Sequence, residues 1–194
     1  MISASEYPLE RSWAIWEMWN TSDTTNYGSN MRSVGSFSTM WDFLQHWENL
    51  PHSTPNFYFS NYKESTERRI EGVPAPIEVV GVFVLGVIPA WEDPVNEQGS
   101  DFSFRKPMEE QSIKEIWKKL VFTLIGETFP SSEDIIGVRI VDKSRVFKCE
   151  IWVGFNADVE TEKTSVLKKW MCDHFSLVNG DINTSLHEVK SKKS

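Results

Sequence analysis

One apolar run constrains the fold more than any other part of the sequence. Residues 79–87 contain no charged side chain; they are too few to span a bilayer but enough for a buried strand. Pro89 and Pro94 bracket the residues that follow. Because proline fixes φ and lacks an N–H, these residues are predicted to form a loop. The loop carries Trp91 followed by Glu92, so a large ring and a carboxylate are expected side by side at the end of a strand.

Size and charge narrow the class of protein. A chain of 194 residues is expected to form one domain, 1–194, with tails at 1–6 and about 188–194 and a long loop or insertion at 51–78. The net charge of −8 argues against a general binder of duplex nucleic acid, but it is compatible with a local basic patch that recognises one RNA end. The two cysteines are expected to be free thiols. Without a signal sequence, we expect a cytoplasmic protein with some nuclear presence.

Hydrophobic periodicity predicts both strands and helices. A period of two residues predicts strands, and apolar residues at i, i+3, i+4 and i+7 predict helices. The order of these segments indicates an α+β protein with a mainly antiparallel sheet and about three helices on one face. Residues 1–12 are predicted to be a tail anchored at 7–9. The predicted strands span 13–19, 79–87, 135–141 and 146–153, and a further short strand is predicted around Phe102 and Phe104. The predicted helices span 39–50, 112–125 and 160–175. In the second helix, the predicted buried stripe is Ile113, Ile116, Trp117, Leu120 and Leu124.

Several side chains with binding chemistry accompany the pair Trp91 and Glu92. Taken alone, this pair is typical of a rim tryptophan beside a solvated acid. With further aromatic and basic residues it can hold a flat cationic ring that carries phosphates. Rings stack on the base, a carboxylate accepts from its edge, and cations hold the phosphates. A 7-methylguanosine cap has this chemistry. The further residues are Tyr27 in a polar loop, Trp152 in a strand, and Lys143, Arg145 and Lys148 in and after a hairpin turn.

No catalytic or metal-binding pattern is recognisable in the sequence. The four histidines and two cysteines lack the spacing of metal ligands, and no glycine-rich phosphate loop or nucleophile elbow is present. We therefore expect a binding protein rather than an enzyme, with no cofactor and no metal. An RNA-processing enzyme is a distant alternative.

The same residues carry a resemblance to a known family. The chain resembles eukaryotic translation initiation factor 4E, the mRNA cap-binding protein, from Tyr7 to about residue 192. The most specific matches are the block Trp91-Glu92-Asp93 with Asn96 and the block Leu124-Ile125-Gly126-Glu127. Further matches are Pro8-Leu9, Trp13-Ala14 with Trp16, Ser36-Phe37 with Thr39, Trp117, Phe129, Ile136-Gly137-Val138 and Ile151-Trp152.

The resemblance implies a curved sheet with helices on its convex face and a cap slot on its concave side. It implies that Trp91 and Tyr27 sandwich the methylated base, that Glu92 reads the guanine edge, and that Trp152 lies near the N7-methyl group. Tyr27 replaces a family tryptophan, which weakens the stacking. The implied phosphate-binding residues are Lys143, Arg145 and Lys148, the first in place of a family arginine.

The resemblance also implies a dorsal surface that binds partner helices with a Tyr-x-x-x-x-Leu-φ pattern. Such helices belong to a scaffold like initiation factor 4G or to a 4E-binding protein. Leu44 and Lys118 replace a family tryptophan and leucine on that surface, and the 51–78 segment is longer than usual. These departures resemble the divergent members of trypanosomatid protists, whose caps are hypermethylated. We expect a monomer without membrane contact. The implied surface residues are Tyr7, Pro8, Leu9, Trp41, Leu44, Trp117 and Phe122.

Two functions follow from the resemblance. In the first, the protein binds the 5′ cap of mRNA, either plain 7-methylguanosine or a hypermethylated form, and recruits mRNA for translation initiation through a scaffold partner. In the alternative, it is a divergent 4E-like protein-interaction module with weak cap affinity that acts as a translational repressor or regulator. Retention on a cap resin separates the two.

Overall fold

The structure, a computed structural model, describes residues 7–19, 30–49 and 77–187. Within these ranges, seven strands form one antiparallel sheet in the order β2-β1-β3-β5-β6-β4-β7. The strands are β1 (Pro8–Trp19), β2 (Met31–Thr39), β3 (Ile77–Val84), β4 (Ser100–Pro107), β5 (Ile135–Asp142), β6 (Val146–Val153) and β7 (Asn183–Leu186), and the α-helices are α1 (Met40–Asn49), α2 (Glu110–Ile125) and α3 (Thr161–Phe175).

The two faces of the sheet are covered differently, because strand side chains alternate between them. On one face, strand residues pack with all three helices and form the main core. The opposite face, here called the second face, carries Gly81, Phe83, Arg139, Lys148, Glu150 and Trp152. A smaller apolar cluster on this face is centred on Phe83 and Trp152. The main core includes Trp13, Phe43, Phe102, Trp117, Ile151 and Leu167.

The Phe83 and Trp152 rings meet edge to face, with their centroids 5.4 Å apart. Gly137 lies opposite Phe83 on the neighbouring strand, and a Cβ there would stand 2.5 Å from the phenyl ring. The glycine therefore makes room for the aromatic pair on the second face.

The predicted α+β class is confirmed, as are the antiparallel sheet and the three helices. The predicted tail over residues 1–12 is wrong for its second half, since β1 begins at Pro8. Arg11 holds this start in place: its guanidinium donates two 2.7 Å hydrogen bonds to the carboxylate of Glu127 and lies over the ring of Trp13. Of the added residues, Pro8 pairs with Thr39 of β2, whereas the pairing of β1 with β3 begins only at Trp13.

Two other elements, β3 and α2, differ from their predicted bounds by two residues or more. β3 ends at Val84 rather than at residue 87, because the chain turns at Gly86, whose φ is 91°. α2 begins at Glu110, two residues before the predicted start at Ser112. Of the predicted loop at 51–78, residues 51–76 lie outside the described residues, and the last two belong to β3.

None of the helices in the described ranges is long and apolar enough to cross a membrane. Cys149 is buried and Cys172 is half-buried, and both are free thiols, as predicted.

Candidate functional site

The loop that follows β3 is held in shape by two of its own side chains. The carboxylate of Asp93 accepts hydrogen bonds from two main-chain N–H groups of the loop, at 2.8 and 2.9 Å. The buried side-chain amide of Asn96 donates to two main-chain carbonyls of the loop, also at 2.8 and 2.9 Å. Because these bonds tie both halves of the segment together, residues 88–96 form a fixed turn. Trp91 and Glu92 are exposed on this turn.

One face of the Trp91 ring rests on the imidazole of His187, which follows β7. The two ring centroids are 5.6 Å apart and the planes differ by 21°. His187 is buried, and its Nδ1 donates to the main-chain oxygen of Asn96 at 2.9 Å, because a carbonyl oxygen can only accept. Trp91 itself is 38% exposed, so part of its ring remains accessible although His187 covers one face. The loop therefore presents a supported, partly exposed ring beside the exposed carboxylate of Glu92.

The support under Trp91 continues into the second face of the sheet. The His187 ring contacts Trp152, with centroids 4.4 Å apart, and Trp152 is only 1% exposed. The guanidinium carbon of Arg139 lies 4.6 Å from the centroid of the Trp152 ring. A series of ring contacts, stacked between Trp91 and His187 and tilted by 47° between His187 and Trp152, therefore connects the tryptophan of the loop to a cation in the middle of the sheet.

A buried carboxylate, Glu150, lies at the centre of the second face. It accepts hydrogen bonds from Arg139 Nε, from Lys148 Nζ at 2.8 Å and from Trp152 Nε1 at 2.8 Å. Burial alone raises the pKa of Glu150, but the charges and hydrogen bonds of Arg139 and Lys148 lower this pKa to about 2. The carboxylate is therefore ionised at neutral pH.

The hairpin between β5 and β6 carries two exposed cations at its tip. Lys143 and Arg145 flank Ser144, whose φ of 65° lies in the left-handed region. The N–H of Ser144 donates to the carboxylate of Asp142 at 2.6 Å, and this bond closes the turn. Lys148 lies further along β6 and is half-buried against Glu150. The basic residues of the hairpin thus have two environments, an exposed tip and a neutralised stem.

A comparison with known protein families shows to which family the chain belongs. The model of the family Eukaryotic initiation factor 4E matches residues 73–193, more than half of the 194 residues. The chain belongs to the initiation factor 4E family. The membership that the sequence resemblance implied is confirmed, and the matched region contains the loop, the second face and the hairpin.

Curated relatives of this 4E-family chain are similar over most of its length. The chain is 26% identical over 188 residues to eukaryotic translation initiation factor 4E-1 of Arabidopsis thaliana, which covers 96% of this chain and 70% of the relative. It is 28% identical over 169 residues to the same factor of Solanum lycopersicum, which covers 85% of this chain and 63% of the relative. The chain therefore spans about two thirds of the length of these relatives.

Solved structures share the fold at lower identity. The complex of Ascaris suum eIF4E-3 with m2,2,7G cap has a TM-score of 0.71 and 18% identity, covering 97% of this chain and 95% of that chain. The complex of C. elegans eIF4E-3 with the 4E-binding protein Mextli and cap analog has the same score and identity, covering 93% and 92%. At this identity the likeness shows that the 4E-family chain has their fold.

The predicted base-binding residues have different positions. Trp91 and Glu92 are exposed neighbours on the fixed turn, and Tyr27 lies outside the described residues. Trp152 is buried against Arg139 and His187, so a ligand reaches its ring only when one of these side chains moves. The structure therefore brings together Trp91, Glu92 and, behind them, Trp152.

Three residues of this region were not predicted to belong to the site: His187, Arg139 and Glu150. The spacing of histidines along a sequence can indicate metal ligands. It cannot show that a histidine stacks on a tryptophan from a distant part of the chain. Glu150 was predicted on the same side of its strand as Lys148 and Trp152, and their contacts confirm this. Its main partner, Arg139, becomes visible only when the register of the hairpin is known.

The predicted dorsal surface is formed by the start of β1 and by α1 and α2. The N–H that begins α1 donates to the main-chain oxygen of Tyr7 at 2.9 Å, and Phe122 of α2 packs edge to face on Trp47 of α1. Trp117 is completely buried in the main core, so its assignment to a partner-contacting surface was wrong: it points inward from α2. Of the other predicted members, the exposed ones are Tyr7, Pro8, Trp41 and Phe122, and the half-buried ones are Leu9 and Leu44.

Proposed function

We propose that this 4E-family protein binds the 7-methylguanosine 5′ cap of mRNA and recruits mRNA for translation initiation through a scaffold partner. The observation that carries the proposal is the loop at 88–96. There an exposed carboxylate directly follows a partly exposed tryptophan whose ring is supported on one face by His187. Membership of the family supports the same function. Such a protein acts by binding, in the cytoplasm, and needs no cofactor.

The chemistry of the base explains the pairing of Trp91 with Glu92. Methylation at N7 gives guanine a positive charge, and a cation over the face of tryptophan in a desolvated site gains about 2 kcal/mol. The same charge makes the N1–H and N2–H groups of the base stronger donors, and a carboxylate accepts both in charge-assisted hydrogen bonds. Because the two residues are adjacent on a fixed turn, Trp91 covers the face of the base while Glu92 reads its edge. Tyr27 is proposed as the second ring of the sandwich.

The phosphates of the cap are assigned to the basic hairpin. Lys143 and Arg145 are exposed at its tip, and Lys148 lies on the strand that leads from the tip to Trp152. Lysine and arginine bind phosphate through charge-assisted hydrogen bonds that depend strongly on salt. In this proposal, the base lies at the loop and the phosphate chain extends along β6 toward the tip.

The dorsal surface is proposed as the site of the scaffold or of a 4E-binding protein. The C. elegans eIF4E-3 complex contains the 4E-binding protein Mextli, which supports a protein partner for this chain as well. Exposed Trp41 and Phe122 supply apolar anchors of the kind that a partner helix covers. The surface lies on the helix side of the sheet, so partner binding leaves the loop with Trp91 accessible.

Fluorescence titration with cap analogues tests the cap assignment. The nucleotide m7GTP is expected to quench part of the tryptophan emission, and GTP to bind at least tenfold more weakly, because it lacks the charge on the base. Trp91→Ala is expected to lose most of the affinity. Glu92→Gln, which keeps the shape and removes the charge, is the matched variant for the guanine edge. Equal affinity for m7GTP and GTP would contradict cap recognition.

One observation favours the alternative of an interaction module with weak cap affinity. Lys148, one of the three predicted phosphate-binding residues, is paired with Glu150 rather than exposed. In this alternative the dorsal surface still binds its partner, while cap-resin retention of the protein is lost in physiological salt. Retention with elution by m7GTP supports the first function, and partner binding without retention supports the second.

A further inference from the structure

The centre of the second face contains a carboxylate that does not belong to the expected phosphate site. Glu150 is 3% exposed and lies between Arg139 at 20% and Lys148 at 21%. Each cation makes an ion pair with a different oxygen of the same carboxylate: Arg139 Nε with Oε2 and Lys148 Nζ with Oε1. Both carboxylate oxygens are therefore engaged, and the indole N–H of Trp152 completes the set.

The pairing changes what Lys148 offers to a phosphate. A carboxylate and a phosphate oxygen accept the same charge-assisted hydrogen bond from an ammonium group, so the two compete for Lys148. The internal acceptor is already in place at 2.8 Å and is held there by the neighbouring strand. A phosphate must either displace Glu150 or share the ammonium group with a negative charge close by. Both situations lower the binding free energy that each added phosphate contributes.

We propose that Glu150 is a specificity-determining residue that lowers the contribution of the phosphate chain to cap affinity. By neutralising Lys148 from inside the fold, Glu150 shifts recognition toward the base and away from the number of phosphates. The inference rests on the proposed function, because it assumes that Lys148 lies along the path of the cap phosphates.

A variant that removes the internal acceptor without changing the net charge tests this inference. Arg139→Val with Glu150→Ala removes one positive and one negative charge, so long-range attraction of the ligand stays the same. Apolar residues in place of a buried ion pair are generally tolerated, whereas removal of Glu150 alone would leave Arg139 unpaired. Thermal melting checks that the double variant is folded. Lys148 is then free to donate to a phosphate.

The readout is the ratio of affinities for m7GTP and for the 7-methylguanosine nucleoside, measured by fluorescence titration. A ratio removes any effect of the missing Arg139 on the base itself. We expect the ratio to rise about tenfold in the double variant, the gain typical of one charge-assisted contact. Adding Lys148→Ala to the double variant is expected to abolish this rise.

An unchanged or lower ratio in the folded double variant would overturn the inference, and so would a rise that persists after Lys148→Ala. Failure of the proposed function looks different, because the wild-type protein would then show no preference for m7GTP over GTP. The wild-type titration therefore separates the two failures.

Discussion

The ion cluster on the second face predicts how the stability of the protein depends on pH. The substitution is Glu150→Gln, which keeps the shape of the side chain and an acceptor for the indole N–H of Trp152. It removes the negative charge between Arg139 and Lys148. The pKa of Glu150 is lowered from an ordinary 4.5 to about 2 in the folded protein. A shift of this size corresponds to roughly 3 kcal/mol of folding free energy.

The direction of the pKa shift of Glu150 decides in which pH range its carboxylate stabilises the fold. Because the folded protein holds the proton more weakly than the unfolded chain, the ionised carboxylate stabilises the fold fully above pH 4.5. This stabilisation is lost as the pH falls toward 2. The free energy of unfolding of wild type is therefore expected to exceed that of Glu150→Gln by about 3 kcal/mol at pH 7. At pH 3 the difference is expected to fall to roughly 1–2 kcal/mol. Other carboxylates titrate in both proteins and cancel in the difference.

Urea unfolding at pH 7, 5 and 3, followed by circular dichroism, measures this difference. The control is Glu97→Gln, an exposed carboxylate of the loop, for which we expect a change below about 0.5 kcal/mol at every pH. A difference in unfolding free energy between wild type and Glu150→Gln that stays constant from pH 7 to pH 3 would show that the ionised carboxylate does not stabilise the fold. A difference below about 1 kcal/mol at pH 7 would show the same.

Three further predictions concern the loop and the dorsal surface. His187→Ala removes the ring that supports Trp91 and is expected to weaken m7GTP binding about tenfold. His187→Phe keeps a ring in this position and is expected to retain most of the affinity. Equal titration curves for the two variants would contradict the support role. Asn96→Ala removes two hydrogen bonds that shape the loop and should cost about 2 kcal/mol in urea unfolding; an unchanged midpoint would argue against it. Trp41→Ala is expected to weaken binding of a Tyr-x-x-x-x-Leu-φ peptide at least tenfold in a calorimetric titration, while the affinity for m7GTP stays unchanged. Loss of both peptide binding and m7GTP binding would contradict the presence of two separate sites.

The sequence predicted most of what depends on local periodicity. The alternation along β6 placed Lys148, Glu150 and Trp152 on one side of the strand, and the contacts among them agree. The helices are found close to their predicted limits because an apolar stripe must face the core. The stripe of α2 correctly included Trp117 among the buried residues. The resemblance assigned the same residue to a partner surface, and the periodicity proved the better guide.

The contacts that define the site depend on register and on distant parts of the chain, and these could not be predicted. Arg139 pairs with Glu150 because Asp142 lies opposite Phe147, a register set by the conformation of the hairpin tip. His187 supports Trp91 because β7, the strand before it, pairs with β4, although the paired residues are 80 to 86 positions apart in the sequence. Neither fact leaves a periodic signal in the sequence.

In the proposed function, the exposed part of the Trp91 ring and the carboxylate of Glu92 recognise a methylated guanine. A crystal structure of the protein with m7GTP tests this most directly. We predict the base parallel to the Trp91 ring at about 3.5–4 Å, on the face away from His187, with its N1–H and N2–H groups donating to Glu92. A nucleotide bound elsewhere, or stacked with its edge turned away from Glu92, would contradict the account.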